Sequence, residues 1–147
     1  MVKKRRVLFV CTGNSARSQM AEGLLRHEAG TEYEVFSAGT DPTSVRSEAV
    51  AVMREIWIDI SGQHSKSVAE FVGQHFDFII TVCDKAKENC PVFPGAGERL
   101  HWPFDDPARI QASEEGRLKM FRRLRDQIHA RLMVFLGVGA YGSAEQP

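Results

Sequence analysis

The run "VLFVCTGNSARSQM" at Val7–Met20 constrains the fold more than any other stretch of the chain. Val7–Val10 are apolar without alternation, the pattern of a strand covered on both faces rather than half-exposed. A short loop of small and polar residues, Thr12–Ala16, comes next, and Met20, Leu24 and Leu25 then recur at helical spacing. A doubly covered strand that feeds a helix through a tight loop is the opening unit of a parallel α/β sheet.

The rest of the chain continues this alternation. Strand-like runs lie at Arg6–Val10, Tyr33–Ser37 and Phe76–Val82, with a shorter one near Arg99–Trp102. Between them, Ala49, Val52, Met53 and Ile56 mark a second helix, and Val68, Phe71 and Val72 a third. Leu118, Phe121, Leu124, Ile128, Leu132 and Phe135 predict a long amphipathic C-terminal helix. The expectation is one α/β domain over residues 1–136, a four-stranded parallel sheet with helices on both faces. The glycine-rich segment 137–147, "GVGAYGSAEQP", reads as a flexible tail.

Lysine plus arginine and aspartate plus glutamate both number 19, so no overall field favours nucleic acid or an anionic membrane. "KKRR" at Lys3–Arg6 reads as a solvated flank before the first strand. No apolar run approaches the ~20 residues needed to span a bilayer, and "VLFVC" is too short for a signal-peptide core. A cytoplasmic monomer with reduced thiols is expected. Cys11, Cys83 and Cys90 are an odd number and no disulfide scaffold, so each is either buried filler or a reagent. The five histidines show no metal-ligand spacing, so no metal or bound cofactor is expected. His101 reads as structural.

"CTGNSAR" places Cys11 at the mouth of the first strand and Arg17 six residues on. Gly13 and its small neighbours let the loop curl so that the backbone amides of Thr12, Gly13, Asn14, Ser15 and Ala16 form a cradle for a tetrahedral oxyanion. The N-terminus of the following helix adds partial positive charge, and the Arg17 guanidinium can grip two anion oxygens at once. Cys11 at the base is the nucleophile, its thiol expected to be acidified by the same donors. Full ionisation of an ordinary thiol at neutral pH gains only about 2 kcal/mol. Orientation and charge stabilisation must therefore supply most of any acceleration. Ser18 is placed to donate to the sulfur.

In such sheets ligands sit beyond the carboxyl ends of the strands, and Cys83 follows "FDFIITV" at that edge. Neighbouring strands lie ~4.8 Å apart, within the ~4.4–6.8 Å Cα separation of a disulfide. Cys11 and Cys83 are thus a plausible redox couple, provided their strands are adjacent. Cys83 and Cys90 bracket "DKAKEN", a run of helix formers. On a helix these sulfurs are separated by ~10.5 Å of rise, and joining them requires the segment to unwind.

The segment "VLFVCTGNSARSQMAEGL" at Val7–Leu24 resembles the active-site loop and first helix of the low-molecular-weight protein tyrosine phosphatase superfamily, and within it the thioredoxin-coupled arsenate reductases. The likeness extends through "SAGT" at Ser37–Thr40, "DISGQHSKS" at Asp59–Ser67, "TVCDKAKENCPVFPG" at Thr81–Gly95 and "HWPFDDPA" at His101–Ala108. The resemblance implies a phosphatase-I (flavodoxin-like) topology, arsenate as substrate and a three-thiol relay. In that relay Cys11 attacks arsenate, Cys83 then attacks Cys11 as arsenite leaves, and Cys90 attacks Cys83. Thioredoxin reduces the resulting Cys83–Cys90 disulfide. The residues do not separate thioredoxin from a glutaredoxin-type donor. Asp106, which directly precedes Pro107, is the implied general acid in preference to Asp105.

The chain departs from the family pattern in places. Some members have a further loop cysteine where this chain has Ala16. Some bind a monovalent cation through residues matching Asn14, Glu22 and Ser37, together with a threonine and an aspartate. Those last two positions hold His64 and Lys66 here, so a lysine ammonium can stand in the cation's place and no potassium requirement is expected. Trp57 stands where a small or polar residue is usual. Arg122, Arg123 and Arg125 read as a solvated helix face. The competing reading is a phosphatase using Cys11, Arg17 and Asp106 without a redox step. The aromatic wall expected of such a phosphatase is missing, with Ala108 and Arg109 in its place. A third reading is an arsenite-responsive module, which no basic stripe supports.

Overall fold

The computed structural model describes residues 3–93, 95, 97–107 and 113–137. Each strand-like run forms a strand: β1 (Arg5–Cys11), β2 (Tyr33–Gly39), β3 (Phe78–Thr81) and β4 (Glu98–His101). All pairings are parallel, in the order β2-β1-β3-β4. The helices are α1 (Arg17–Ala29), α2 (Ser47–Arg54), α3 (Asp84–Asn89) and α4 (Glu114–Phe135). Of the tail expected at 137–147, residues 138–147 lie outside the described residues, as do Ala108 and Arg109.

β1 is the hydrophobic centre, with Val7, Leu8, Phe9 and Val10 wholly removed from solvent. Its two faces are packed differently. On one, Phe135 of α4 meets Tyr33, Phe78 and Trp102 at ring distances of 5.8, 5.1 and 5.6 Å. On the other, Phe36, Phe71, Phe76 and Phe93 form an edge-and-tilt aromatic cluster. Burying both faces is what makes a parallel sheet stable.

Three expectations are corrected. The group Val68, Phe71 and Val72 forms only a four-residue 3-10 turn, Val68–Phe71. A Ser67–Glu70 capping box opens it, and Gly73 at φ +98° turns the chain away two residues past its end. Of the basic flank, Lys3, Lys4 and Arg5 are exposed as expected, but Arg6 is half-buried and both arginines are engaged by aromatic rings. Arg5 lies over the Tyr33 ring at 5.0 Å, and Arg6 over Phe36 and Phe76 at 4.7 Å each, bracing the start of β1. Arg125 is buried, donating to the Val52 carbonyl at 2.8 Å and to Glu55 at 3.0 Å, so it ties α4 to the end of α2.

Trp57 closes α2. The Ile58 amide bonds to the Met53 carbonyl and the Trp57 amide to the Arg54 carbonyl, a Schellman arrangement that places Trp57 at φ +66°. Glycine is the usual occupant of that position, and the indole is 91% exposed.

β1 is followed by β2 on one side and pairs with β3 on the other, so strand order reverses at β1. The loops leaving β1 and β3 diverge there and open a crevice at the carboxyl edge. The adjacency required of Cys11 and Cys83 holds: Val10 is in register with Thr81, and the Val82 amide bonds to the Val10 carbonyl at 2.9 Å.

Candidate active site

The loop after β1 is held open by its carbonyls. Those of Cys11, Thr12, Gly13 and Ser15 accept hydrogen bonds from the amides of Thr40, Asp41, Thr43 and Arg46, at 2.8–3.0 Å. The Asn14 carbonyl accepts from Ser65 Oγ at 2.7 Å and Gln19 Nε2 at 3.1 Å. Because peptides are planar, a run of outward carbonyls leaves its amides facing the opposite, concave side. Residues 40–46 are thus a strap that shapes the cradle, and no sequence signal beyond "SAGT" pointed to them. Gly39 is required for their approach: a Cβ there would lie 2.6 Å from the Thr12 carbonyl oxygen.

Cys11 lies at the base of the cradle, 2% exposed. Its Sγ is 2.7 Å from Ser18 Oγ and accepts from the Asn14 amide at 3.1 Å. The direction of the Ser18 contact follows from its neighbours. Lys66 N–H donates to Asn14 Oδ1 at 2.9 Å, which fixes the orientation of the Asn14 side-chain amide. Asn14 Nδ2 then donates to both Ser18 Oγ (2.7 Å) and Ser37 Oγ (3.0 Å), and Ser37 donates onward to Glu22. Ser18, already accepting, has its own proton left for the sulfur. Asn14 holds φ +49° to make these contacts. Glu22 is flanked by Arg26 at 2.6 Å and the Lys66 ammonium at 3.8 Å, and Lys66 Nζ also reaches the His64 carbonyl at 2.9 Å.

The thiol's acidity departs from the sequence expectation. Burial is the largest influence on Cys11 and pushes its pKa up, while Ser18, the Arg17 charge and the Asn14 amide pull it down.

Arg17, the first residue of α1, donates to the Phe104 carbonyl at 3.1 Å, and its Nη2 is 3.8 Å from Asp106 Oδ2. Thr12, Arg17, Cys83, Phe104, Asp105 and Asp106 line a cleft above the loop, with Lys85 and Glu88 at its α3 side. The sequence reading did not anticipate Lys85, Glu88 or Phe104. Asp105 and Asp106 both reach the cleft, and Asp106 is the one paired with Arg17.

Cys83 caps α3, its Sγ accepting from the Ala86 amide at 3.4 Å and lying 3.3 Å from Thr12 Oγ1. Cys90 ends the same helix, half-buried, so "DKAKEN" is helical with a sulfur at each flank. His101 bridges Thr81 Oγ1 at 2.7 Å and Asp84 Oδ1 at 2.8 Å, tying the start of α3 to β3 and β4. All three thiols are free. Among the described residues no cluster of three or more His, Cys, Asp or Glu could hold a metal ion, and no helix is long and apolar enough to cross a membrane.

A parallel sheet with a Cys-x5-Arg oxyanion cradle after its first strand defines a class. A family model of low molecular weight phosphotyrosine protein phosphatases matches residues 6–140, and the chain belongs to that family. Within it, the arsenate reductase of Halalkalibacterium halodurans is 43% identical over 138 residues, covering 94% of this chain and 99% of that one. A solved arsenate reductase in the phosphate-binding state superposes with a TM-score of 0.77 at 31% identity, covering 90% of this chain and 97% of that one. The thioredoxin-dependent arsenate reductase of Corynebacterium glutamicum superposes with a TM-score of 0.61 at 28% identity, over 89% of this chain and 63% of that one.

Proposed function

We propose that the protein reduces arsenate to arsenite through a three-thiol relay recharged by thioredoxin. One observation carries the reading: Cys83 touches Thr12, the residue next to Cys11, and α3 links Cys83 directly to a third thiol. A phosphatase needs one of these sulfurs; the relay uses all three. The arsenate reductases of the same family support the substrate, and the thioredoxin-dependent relative supports the donor. A reducing cytoplasm is the compartment in which all three thiols would be available.

Arsenate enters the cradle, where loop amides and Arg17 hold its oxygens. The Cys11 thiolate attacks arsenic, Asp106 protonates the departing oxygen, and water leaves a thiol–arsenate adduct. Cys83 then attacks Cys11 Sγ. The S–As bonding pair stays on arsenic, which passes from As(V) to As(III), and arsenite departs from a Cys11–Cys83 disulfide. Cys90 attacks Cys83 and releases Cys11 as thiolate. A thioredoxin dithiol reduces Cys83–Cys90 and is itself oxidised.

The test is paired: arsenate turnover with thioredoxin, and aryl phosphate hydrolysis, for the wild type and each cysteine variant. Cys11→Ser loses both activities. Cys83→Ser loses arsenate turnover and keeps any phosphatase activity. Cys90→Ser releases one equivalent of arsenite and stalls as a Cys11–Cys83 disulfide visible by mass spectrometry. Undiminished arsenate turnover in Cys83→Ser would end the relay reading.

A further inference from the structure

Arg99 and His101 are two residues apart on β4 and so lie on one side of that strand. Both reach the α3 segment, at opposite ends. His101 pairs with Asp84, the first residue of the helix, at 2.8 Å. Arg99 Nη1 donates to the Pro91 carbonyl, just past the helix end, at 3.3 Å, which sets its guanidinium beside the neighbouring Cys90. We propose, building on the relay reading, that Arg99 is the positioning residue of the outgoing thiol. It holds Cys90 at the helix end and favours its thiolate for attack on Cys83.

The segment's mechanics fit that role. Phe93 is buried against Phe76, 5.9 Å between ring centroids, and anchors the chain beyond Cys90. Three residues of extended chain reach ~10 Å, which matches the ~10.5 Å of helix rise between the two sulfurs. Joining the two sulfurs requires α3 to unwind, and the chain from Cys90 to the seated Phe93 is the tether that must accommodate the move. Pro91, the residue Arg99 grips, is the first link of that tether.

Arg99 is exposed and sits on a long side chain able to follow the sulfur. Burial raises the Cys90 pKa, and Arg99 opposes it through both charge and hydrogen bond. Lys87 and Glu88 on the last turn of α3 are exposed to water, and His101 is engaged by Thr81 and Asp84. Among the described residues, Arg99 is the charged group acting on this thiol. In the step it serves, a Cys90–Cys83 bond forms, the Cys83–Cys11 bond breaks, and Cys11 leaves with the electron pair. One disulfide replaces another with no net oxidation.

The experiment leaves Cys90 as the single thiol, in a Cys11→Ser/Cys83→Ser background, and follows its alkylation by iodoacetamide against pH. Adding Arg99→Met moves the midpoint upward and slows alkylation at pH 7 about three- to tenfold. Arg99→Lys keeps most of the wild-type rate, and ~1 M salt narrows the gap. In the otherwise native chain, Arg99→Met accumulates the Cys11–Cys83 disulfide during turnover at pH 7. An unchanged Cys90 pH profile in a folded Arg99→Met protein overturns the assignment, whatever the substrate. A shifted profile beside full arsenate turnover in Cys90→Ser would instead overturn the relay, and with it the place of Arg99 in it.

Discussion

Thr12 Oγ1 lies 3.3 Å from Cys83 Sγ, so Cys83 meets the loop after β1 at the residue adjoining Cys11. The contact joins two loops that leave neighbouring strands, β1 and β3, at the point where strand order reverses. A thiol held there can follow a reaction at Cys11 without any domain movement, because parallel pairing has already brought the two chain segments together.

Ser18 is the side-chain donor to Cys11, and its direction is set by Asn14. Ser18→Ala removes one of the influences that lower a thiol raised by burial. The pH midpoint for Cys11 alkylation should rise further, and turnover at pH 7 should fall about tenfold. The loss should shrink as pH increases, because base then supplies the thiolate. A midpoint unmoved in Ser18→Ala would show that the bond does not act on the sulfur's ionisation.

Lys66 places an ammonium 3.8 Å from the buried Glu22 carboxylate, at the far end of the chain of contacts running through Ser37, Asn14 and Ser18 to Cys11. With that positive charge built in, wild-type turnover should be the same in potassium and in choline buffers. Lys66→Ala should lose about three- to tenfold in turnover, since among the described residues Glu22 keeps only Arg26 as a paired positive charge. Stimulation of the wild type by potassium would refute the substitution of lysine for a cation.

Glu48 joins α2 to α4 through Arg117 at 3.1 Å and pairs with Arg46 at 3.2 Å. The Arg46 hydrogen bond, with help from Arg117, holds its carboxyl down from 4.5 to about 2. A depressed carboxylate pKa stabilises the fold above the unfolded-state value. That contribution is lost as pH falls from about 4.5 toward about 2. Glu48→Gln should therefore cost about 1–2 kcal/mol at pH 7, allowing for solvent screening. The difference from wild type should vanish near pH 2, and urea denaturation across that range measures it.

Trp57 occupies the left-handed position that ends α2, at φ +66°, with its indole in solvent. Trp57→Gly should relieve the strain of a side chain in that conformation and raise stability by about 1 kcal/mol, with arsenate turnover unchanged. A lower melting temperature would mean that the indole has packing partners in solution.

The strand-like runs, the Cys-x5-Arg loop and the C-terminal helix were all legible because each is a local pattern. Uninterrupted apolar residues mark a doubly covered strand, small residues before a helix mark the cradle, and a spacing of three and four marks α4. Other features depended on residues far apart in the chain. Nothing near Cys11 announces that residues 40–46 draw its loop carbonyls outward, or that Lys66 orients Asn14. The run at Val68 carried helical spacing but ended at Gly73, and Arg125 lay among arginines that looked like surface until α2 closed over it.

What the sequence determined by itself is the set of groups available: a thiol at a strand end, an arginine six residues on at the start of a helix, and two more thiols flanking a helix-forming segment. Only the tertiary structure decided what those groups do to one another. It set Cys83 beside the loop after β1, buried Cys11 deeply enough to raise its pKa, and brought Arg99 from the edge strand to the Pro91 carbonyl next to Cys90. The physical reason is that residue types and spacing act along the chain. Proximity and desolvation act through space, and they exist only once the strands have paired.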